Sequence, residues 1–260
     1  MKVLWVFAHP EPRSLNGALR DFGVRTLTAS GHEVRQSDLY AMRWKAVADA
    51  DDFRDFEPGS RLTYASSSLQ GFRNGTQTPD ISAEQEKLMW ADAIILQFPL
   101  WWFSVPAILK GWFDRVLAAG WAYRVPDPTQ AGRSRRYGDG NLKGKRGLVI
   151  VSAGGSAAAL GPRGAAGDIN DLLFPVTYGI LWYTGVAPLR PHVINDANQV
   201  GPDAYAQLET KLAARLGSLW TEAPIPYRSQ NGGDYGDDLT LKPGLEGSAQ
   251  GFAMRLRRDR

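Results

Sequence analysis

Strand-like runs recur in this chain at 2–8, 33–37, 93–98, 147–152 and around 186–194, most of them rich in apolar residues. Each run is too short for a buried helix and is bounded by polar or turn residues, so each reads as a strand. Between most of them the apolar positions fall three and four apart, the helical spacing. Leu15, Leu19, Phe22 and Leu27 follow Ser14, a candidate N-cap. A second helix is predicted from about Ser82 to Trp90. A third opens after Pro106 and carries Ile108, Leu109, Trp112, Phe113 and Val116. A fourth begins near Asp168, with Pro175 set to kink or divide it. The last follows Gly201-Pro202, with Tyr205, Leu208, Leu212, Leu216 and Leu219 at the same spacing. Strands alternating with helices predict an α/β protein with a doubly wound, five-stranded parallel sheet. The order 2-1-3-4-5 suits five strands and puts a ligand outside the carboxyl ends of strands 1 and 3.

Two stretches break the alternation. Residues 41–80 are rich in Asp, Ser, Gly and Arg and read as a long irregular excursion, which in a compact domain is usually functional or wraps a partner. Residues 222–260 hold Pro224, Pro226, Pro243 and glycines at 232, 233, 236, 244, 247 and 251, and are expected to lack regular structure. The predicted organisation is a domain over 1–221 and an irregular C-terminal extension over 222–260.

The strand-end loops carry the chemistry. After Pro99 the chain displays Leu100, Trp101, Trp102 and Phe103. Large rings on such a loop are costly to leave in water, and a flat apolar molecule would cover them. Packing on a core or a neighbouring subunit would cover them equally well. His9 to Asn16 forms the loop after strand 1, where free N–H groups and the helix dipole favour an anion. Ser14 and Asn16 add short polar donors, although Ser14 can equally be only a cap. The loop lacks the Gly-x-Gly-x-x-Gly of a dinucleotide grip. After strand 4, Ser152-Ala153-Gly154-Gly155-Ser156 allows close backbone approach to a ring; position 158 is alanine, so this is no hydrolase nucleophile elbow.

Composition narrows the choice. The chain has 260 residues, 43% of them hydrophobic, and no cysteine, which excludes disulfides and thiol catalysis. Its three histidines lack ligand spacing, so no metal site is expected. A net charge of +3 gives no reason to expect nucleic acid. Arg133, Arg135 and Arg136, and Arg255, Arg257, Arg258 and Arg260, read as solvated basic stretches, the first also able to attract dinucleotide phosphates. No apolar run approaches about 20 residues, and no secretory signal precedes the first strand, so a cytoplasmic protein without membrane insertion is expected.

The string from Ala93 to Val116 resembles the flavin-contacting loop of the NAD(P)H:quinone reductase (DT-diaphorase-like) family of flavodoxin-like flavoproteins. The resemblance extends to His9, Ser14-Leu15-Asn16 and Ala18; to Ser37–Met42; to Pro79-Asp80-Ile81 with Glu84-Gln85; to Gly154-Gly155-Ser156, Gly164 and Gly167-Asp168; and to Trp220 with Pro224. It implies bound FAD, with FMN less expected, held by His9, Ser14, Leu15, Asn16, Ala18, Thr63, Pro99 to Phe103, Ser152 to Gly155 and Leu160. It also implies NAD(P)H as co-substrate, a quinone-like acceptor, ping-pong turnover, and a homodimer with shared sites in which Tyr123, Tyr183 and residues near Thr63-Tyr64 come from the opposite subunit. Gly155, Tyr123 and Tyr183 would frame the reacting rings, and Arg163 could offset negative charge on the flavin. The sequence departs from the family where its charge-relieving tyrosine and histidine fall on Leu160 and Ala166, and where a second pocket tyrosine falls on Val125. Alternatives are a flavin-binding regulatory subunit of weak turnover, or an FMN-dependent azoreductase or flavin reductase.

Overall fold

The computed structural model describes residues 1–257. Five consecutive parallel neighbours, β2 (Glu33–Asp38), β1 (Lys2–Phe7), β3 (Ala93–Pro99), β4 (Arg146–Ser152) and β5 (Ala187–Pro188), form the sheet in that order. β6 (His192–Ile194) also pairs with β4, so the expected fifth strand is present in two pieces. Pro188 and Ala187 face Gly147 and Arg146, while His192 faces Ile150, so three residues oppose two between them. This is a bulge, and Pro188 and Pro191 fit it because neither can donate to the ladder.

Strand alternation builds two cores. Leu4, Val6, Ile94, Leu96, Phe98, Val149 and Val151 point to one face, against Ile81 and Leu88 of α3 (Pro79–Trp90) and Leu109, Trp112 and Phe113 of α4 (Ala107–Val116). Val3, Trp5, Phe7, Ile95, Leu148 and Ile150 point to the other, against Leu19 and Leu27 of α1 (Leu15–Ala29) and Leu212 and Leu216 of α7 (Pro202–Gly217). Gly23 is needed for that packing: a Cβ there would lie 2.3 Å from the Trp5 ring.

Two expectations change. The excursion over 41–80 is not irregular throughout, because α2 (Tyr64–Asn74) lies inside it and ends on Gly75 at φ +69°. The segment is tied down by Arg115 of α4, whose guanidinium is 1% exposed and donates to the buried carboxylate of Asp52 at 2.9 Å. Lys45 and the Tyr64 hydroxyl reach the same carboxylate, and Asp80 also pairs with Arg115. The second predicted helix, α3, starts three residues earlier than expected, with Pro79 in its first turn.

The fourth helix is divided as Pro175 predicts, into α5 (Ile169–Leu172), α6 (Phe174–Val176) and a π-helical turn (Thr177–Trp182). From 222 to 257 the one helical piece is the short turn Gly251–Arg255. The tail is nonetheless fixed in place. Arg228 is buried and bonds Asp234, the Leu245 carbonyl and the Met254 carbonyl. Tyr227 bonds Thr177, and Phe252 stacks on Phe174 with centroids 4.1 Å apart. The basic stretches are less solvated than expected: Arg133 bonds Asp237 of the tail, and Arg136 bonds Gln230. Arg258 and Arg260 of the second stretch lie outside the described residues.

Candidate functional site

Three strand ends share one edge, because β1, β3 and β4 run in register and finish together: Phe7 faces Gln97, and Pro99 faces Ser152. A buried polar chain crosses them. The Trp5 indole donates to the Gln97 side-chain carbonyl at 2.8 Å, and the Gln97 amide donates to the Asn16 backbone carbonyl at 2.8 Å. The Asn16 amide then donates to the Ser152 hydroxyl at 2.8 Å. The other side-chain atom of Asn16, its Oδ1, is buried without a hydrogen-bond partner. Such an orphan is costly and points to a donor from elsewhere.

The first loop is tightly set. His9 Nδ1 lies 3.1 Å from both the backbone nitrogen and the carbonyl oxygen of Glu11 and 3.0 Å from the Ser14 hydroxyl, so this ring nitrogen is taken up by the loop. Ser14 caps α1 by accepting from the Gly17 N–H, and the next residue, Leu15, and Ala18 sit half-buried in the first turn. A Cβ on Gly17 would lie 1.9 Å from the Pro12 carbonyl oxygen, so only glycine lets this loop fold over the helix start. Glu11, hydrogen-bonded by Arg13, has its carboxyl pulled down to about 2.

The second loop is strained. Trp101 and Ser104 exchange backbone hydrogen bonds, each 3.0 Å, around Trp102 at φ +49° and Phe103 at φ +59°. That is a tight turn with both central residues left-handed, where Asn-Gly is the usual pair. Two large aromatics there cost roughly 1–2 kcal/mol each. Trp102 is 95% exposed and Phe103 53% exposed, so nothing in the chain compensates. Pro99 is buried, and Leu100 ties the loop to β4 through its N–H to the Ser152 carbonyl at 2.7 Å.

In the third loop, Ser152 and Ala153 are buried while Gly154 and Gly155 are exposed. Leu160 is buried behind Gly155, where an added Cβ would lie 3.3 Å from it. Its side chain packs and cannot donate a hydrogen bond. Arg163 is exposed farther along the same loop, with no ion pair among the described residues. Sequence reasoning passed over Asn195 and Asn198, which follow β6 on this edge. Asn195 Oδ1 is a second buried orphan, and a Cβ on Gly154 would lie 3.1 Å from the Asn198 amide. Short polar residues directly after a strand-like run were the signal.

Tyr123 and Tyr183 come together elsewhere. They line a cavity of about 470 Å³ with Tyr64, Lys110, Asp114 and Ile180. None of the loop-edge residues lines it. Thr63, exposed at the start of α2, precedes Tyr64 and belongs with this second group. Burial pushes the hydroxyls of Tyr123 and Tyr64 up, the latter also through its bond to Asp52. One chain therefore carries the expected site residues as two separate groups.

Residues 1–217 match the family described as having a flavodoxin-like fold. The ribosyldihydronicotinamide dehydrogenase-like protein traD of Penicillium crustosum is 42% identical, over 100% of this chain and 97% of its own. NAD(P)H dehydrogenase [quinone] 1 of Rattus norvegicus is 38% identical, over 87% of this chain and 80% of its own. A Klebsiella pneumoniae protein crystallised as a candidate quinone reductase is 51% identical, with a TM-score of 0.95 over 98% of this chain and 99% of its own.

Proposed function

This chain belongs to the flavodoxin-like family of NAD(P)H:quinone reductases and is an oxidoreductase, and from that premise we propose that it carries electrons from NAD(P)H to a quinone through FAD bound at the strand-end loops. The observation that carries the reading is the Trp102-Phe103 turn: two rings held in a costly conformation and turned to solvent, on a loop whose Leu100 N–H is bonded to Ser152, two residues before Gly154. A bound flavin supplies the two-electron hydride chemistry between the nicotinamide and the quinone.

The residues present fit that group. Trp101, Trp102 and Phe103 offer an apolar face for a flat ring. Gly154 and Gly155 let the backbone come close on the other side, and Ala153 and Leu160 close its base. Asn16 Oδ1 accepts a donor from the cofactor and so loses its orphan state. Ser14, Leu15 and Ala18 belong to the first turn of α1 or cap it, where free N–H groups suit phosphates. His9, whose Nδ1 is taken up by the loop, leaves Nε2 as the ring nitrogen free for a phosphate. Together these groups orient two rings in turn and exclude water between them. FAD rather than FMN is favoured by the excursion over 41–80 and the fixed tail, which give a longer cofactor more surface than a minimal fold of this kind offers.

Tyr123, Tyr183 and Thr63 act across a homodimer interface in this reading, each site taking its strand-end loops from one chain and its tyrosine cavity from the other. The separation of the two groups within one chain supports it. Arg163 offsets negative charge on the reduced cofactor from the rim of the Gly155 loop. The second reading, a flavin-binding regulatory protein of weak turnover, is favoured by Leu160 and Ala166, whose side chains offer no donor. Flavin released from the purified protein and identified by chromatography tests the cofactor. Sedimentation tests the dimer, and parallel-line kinetics with NAD(P)H and a quinone test the ping-pong order. FAD, a mass of two chains and parallel lines are expected; no flavin, or a single chain that turns over, overturns the assignment.

A further inference from the structure

Gln97 is the one polar residue of β3, and the whole strand is buried. It is 0% exposed and lies between Phe7 of β1 and Ile150 of β4, in the middle of the sheet. A primary amide in such a place is costly unless both of its ends are bonded, and leucine or methionine would fill the space without that cost. Packing alone therefore does not account for Gln97.

Both ends are bonded, and the orientation is forced. The Trp5 indole can only donate, so the carbonyl end of Gln97 faces it and the amide end faces Asn16. Asn16 is the second residue of α1. A helical carbonyl there accepts from the N–H four residues on, and its second lone pair takes the Gln97 donor. Trp5 meets the same helix seven residues later, at Gly23, where the absence of a Cβ makes room for its ring. Seven residues are about two turns, so Asn16 and Gly23 share a face of α1. Trp5 and Gln97 thus hold the helix at two points, which sets where its first turn stands and which way its axis runs.

These contacts converge on one atom. Asn16 is 5% exposed, with its backbone carbonyl held by β3 and its side-chain amide held by β4 through Ser152, at 2.8 Å each. Of its side-chain polar atoms only Oδ1 is left, buried and without a partner. Trp5 and Gln97 themselves are both 0% exposed and reach no ligand.

We propose that Gln97, locked by Trp5, is a positioning residue for the cofactor: it acts from inside the sheet by holding Asn16 so that Oδ1 meets a donor group of the flavin. The polar residue in an otherwise apolar strand is there for the site at the strand end. The proposal rests on the flavin reading of that site, and its test is of binding and coupling rather than turnover.

The test is a double-mutant cycle on the full-length protein stripped of flavin, with FAD affinity read by fluorescence titration and folding by thermal unfolding. Gln97→Met keeps the volume and removes the donor to Asn16. It should weaken FAD binding about 10-fold in the parent, and less than about threefold in Asn16→Ala, where no Oδ1 remains to be held. A residue that only supports the fold would weaken binding equally in both backgrounds. Trp5→Phe removes the N–H that orients Gln97 and should weaken FAD about three- to tenfold, again only where Asn16 is present. It decides the matter if Gln97→Met does not fold. An equal loss in both backgrounds, or unchanged FAD affinity in the folded variants, overturns the proposal. Loss of the fold in both variants assigns the pair to stability and overturns it as well. A parent protein that takes up no flavin gives a different result, which overturns the flavin reading and this proposal with it.

Discussion

Replacing Trp102 by Asn separates a ring held for a ligand from a ring held for packing. In the free chain Trp102 is 95% exposed, so removing it forfeits almost no buried area. Its φ of +49° costs a tryptophan roughly 1–2 kcal/mol that asparagine largely avoids. The flavin-free variant should therefore be more stable than the parent by about 1 kcal/mol, raising its Tm by about 2–4 °C for a chain of this size. Flavin binding should move the opposite way. Loss of one large ring face against a stacked cofactor removes about 1–3 kcal/mol, or about a tenfold to hundredfold weakening of affinity. The assay pairs thermal unfolding of stripped protein with fluorescence titration of flavin into it. A stripped variant that melts earlier than the parent, or one that binds flavin as tightly, refutes the reasoning and returns Trp102 to ordinary packing.

Asn16→Ala leaves the Ser152 hydroxyl without its 2.8 Å donor and removes the orphaned Oδ1, so flavin affinity should fall about tenfold while stripped-protein stability moves by about 1 kcal/mol or less; titration and urea unfolding separate the two. Asp52→Asn strips the charge that Arg115, Lys45 and Tyr64 share in a fully buried position, and should cost about 3–5 kcal/mol, read as a fall in urea midpoint without a change in slope. Burial beside Arg215 and Lys211 pushes His192 down to about 4. The unfolded chain takes up that proton near pH 6.5 and the folded chain does not, so stability is fully present above pH 6.5 and is lost as pH falls toward 4. His192→Gln should flatten that part of the urea-midpoint profile, by about 1–2 kcal/mol between pH 7 and 4.5.

What the sequence revealed depended on how each element is held. The run from Ala93 to Pro99 is buried at every position, so its apolar signal was undiluted. The cap at Ser14, the helix start near Asp168 and the break at Pro175 were readable because each acts through local backbone chemistry. α2 was missed because its buried residues are Ser68 and Gly71, small rather than apolar. Gly71 is there to admit Phe53, to which an added Cβ would come within 2.8 Å, and that partner is distant in sequence. The strand-end residues were found because fold order and ring chemistry converge on one edge. The left-handed strain at Trp102 and Phe103 and the orphaned Asn16 Oδ1 were not legible. Each depends on where distant segments meet.

The measurement closest to the central claim is anaerobic addition of NADPH, then NADH, to the purified flavin-loaded protein while its visible absorbance is followed. Rapid bleaching by either nucleotide, reversed on adding a quinone, is the predicted result. A protein that keeps its yellow colour under both nucleotides would contradict the reductase account and favour the regulatory reading, and a colourless protein that takes up neither FAD nor FMN would contradict the site itself.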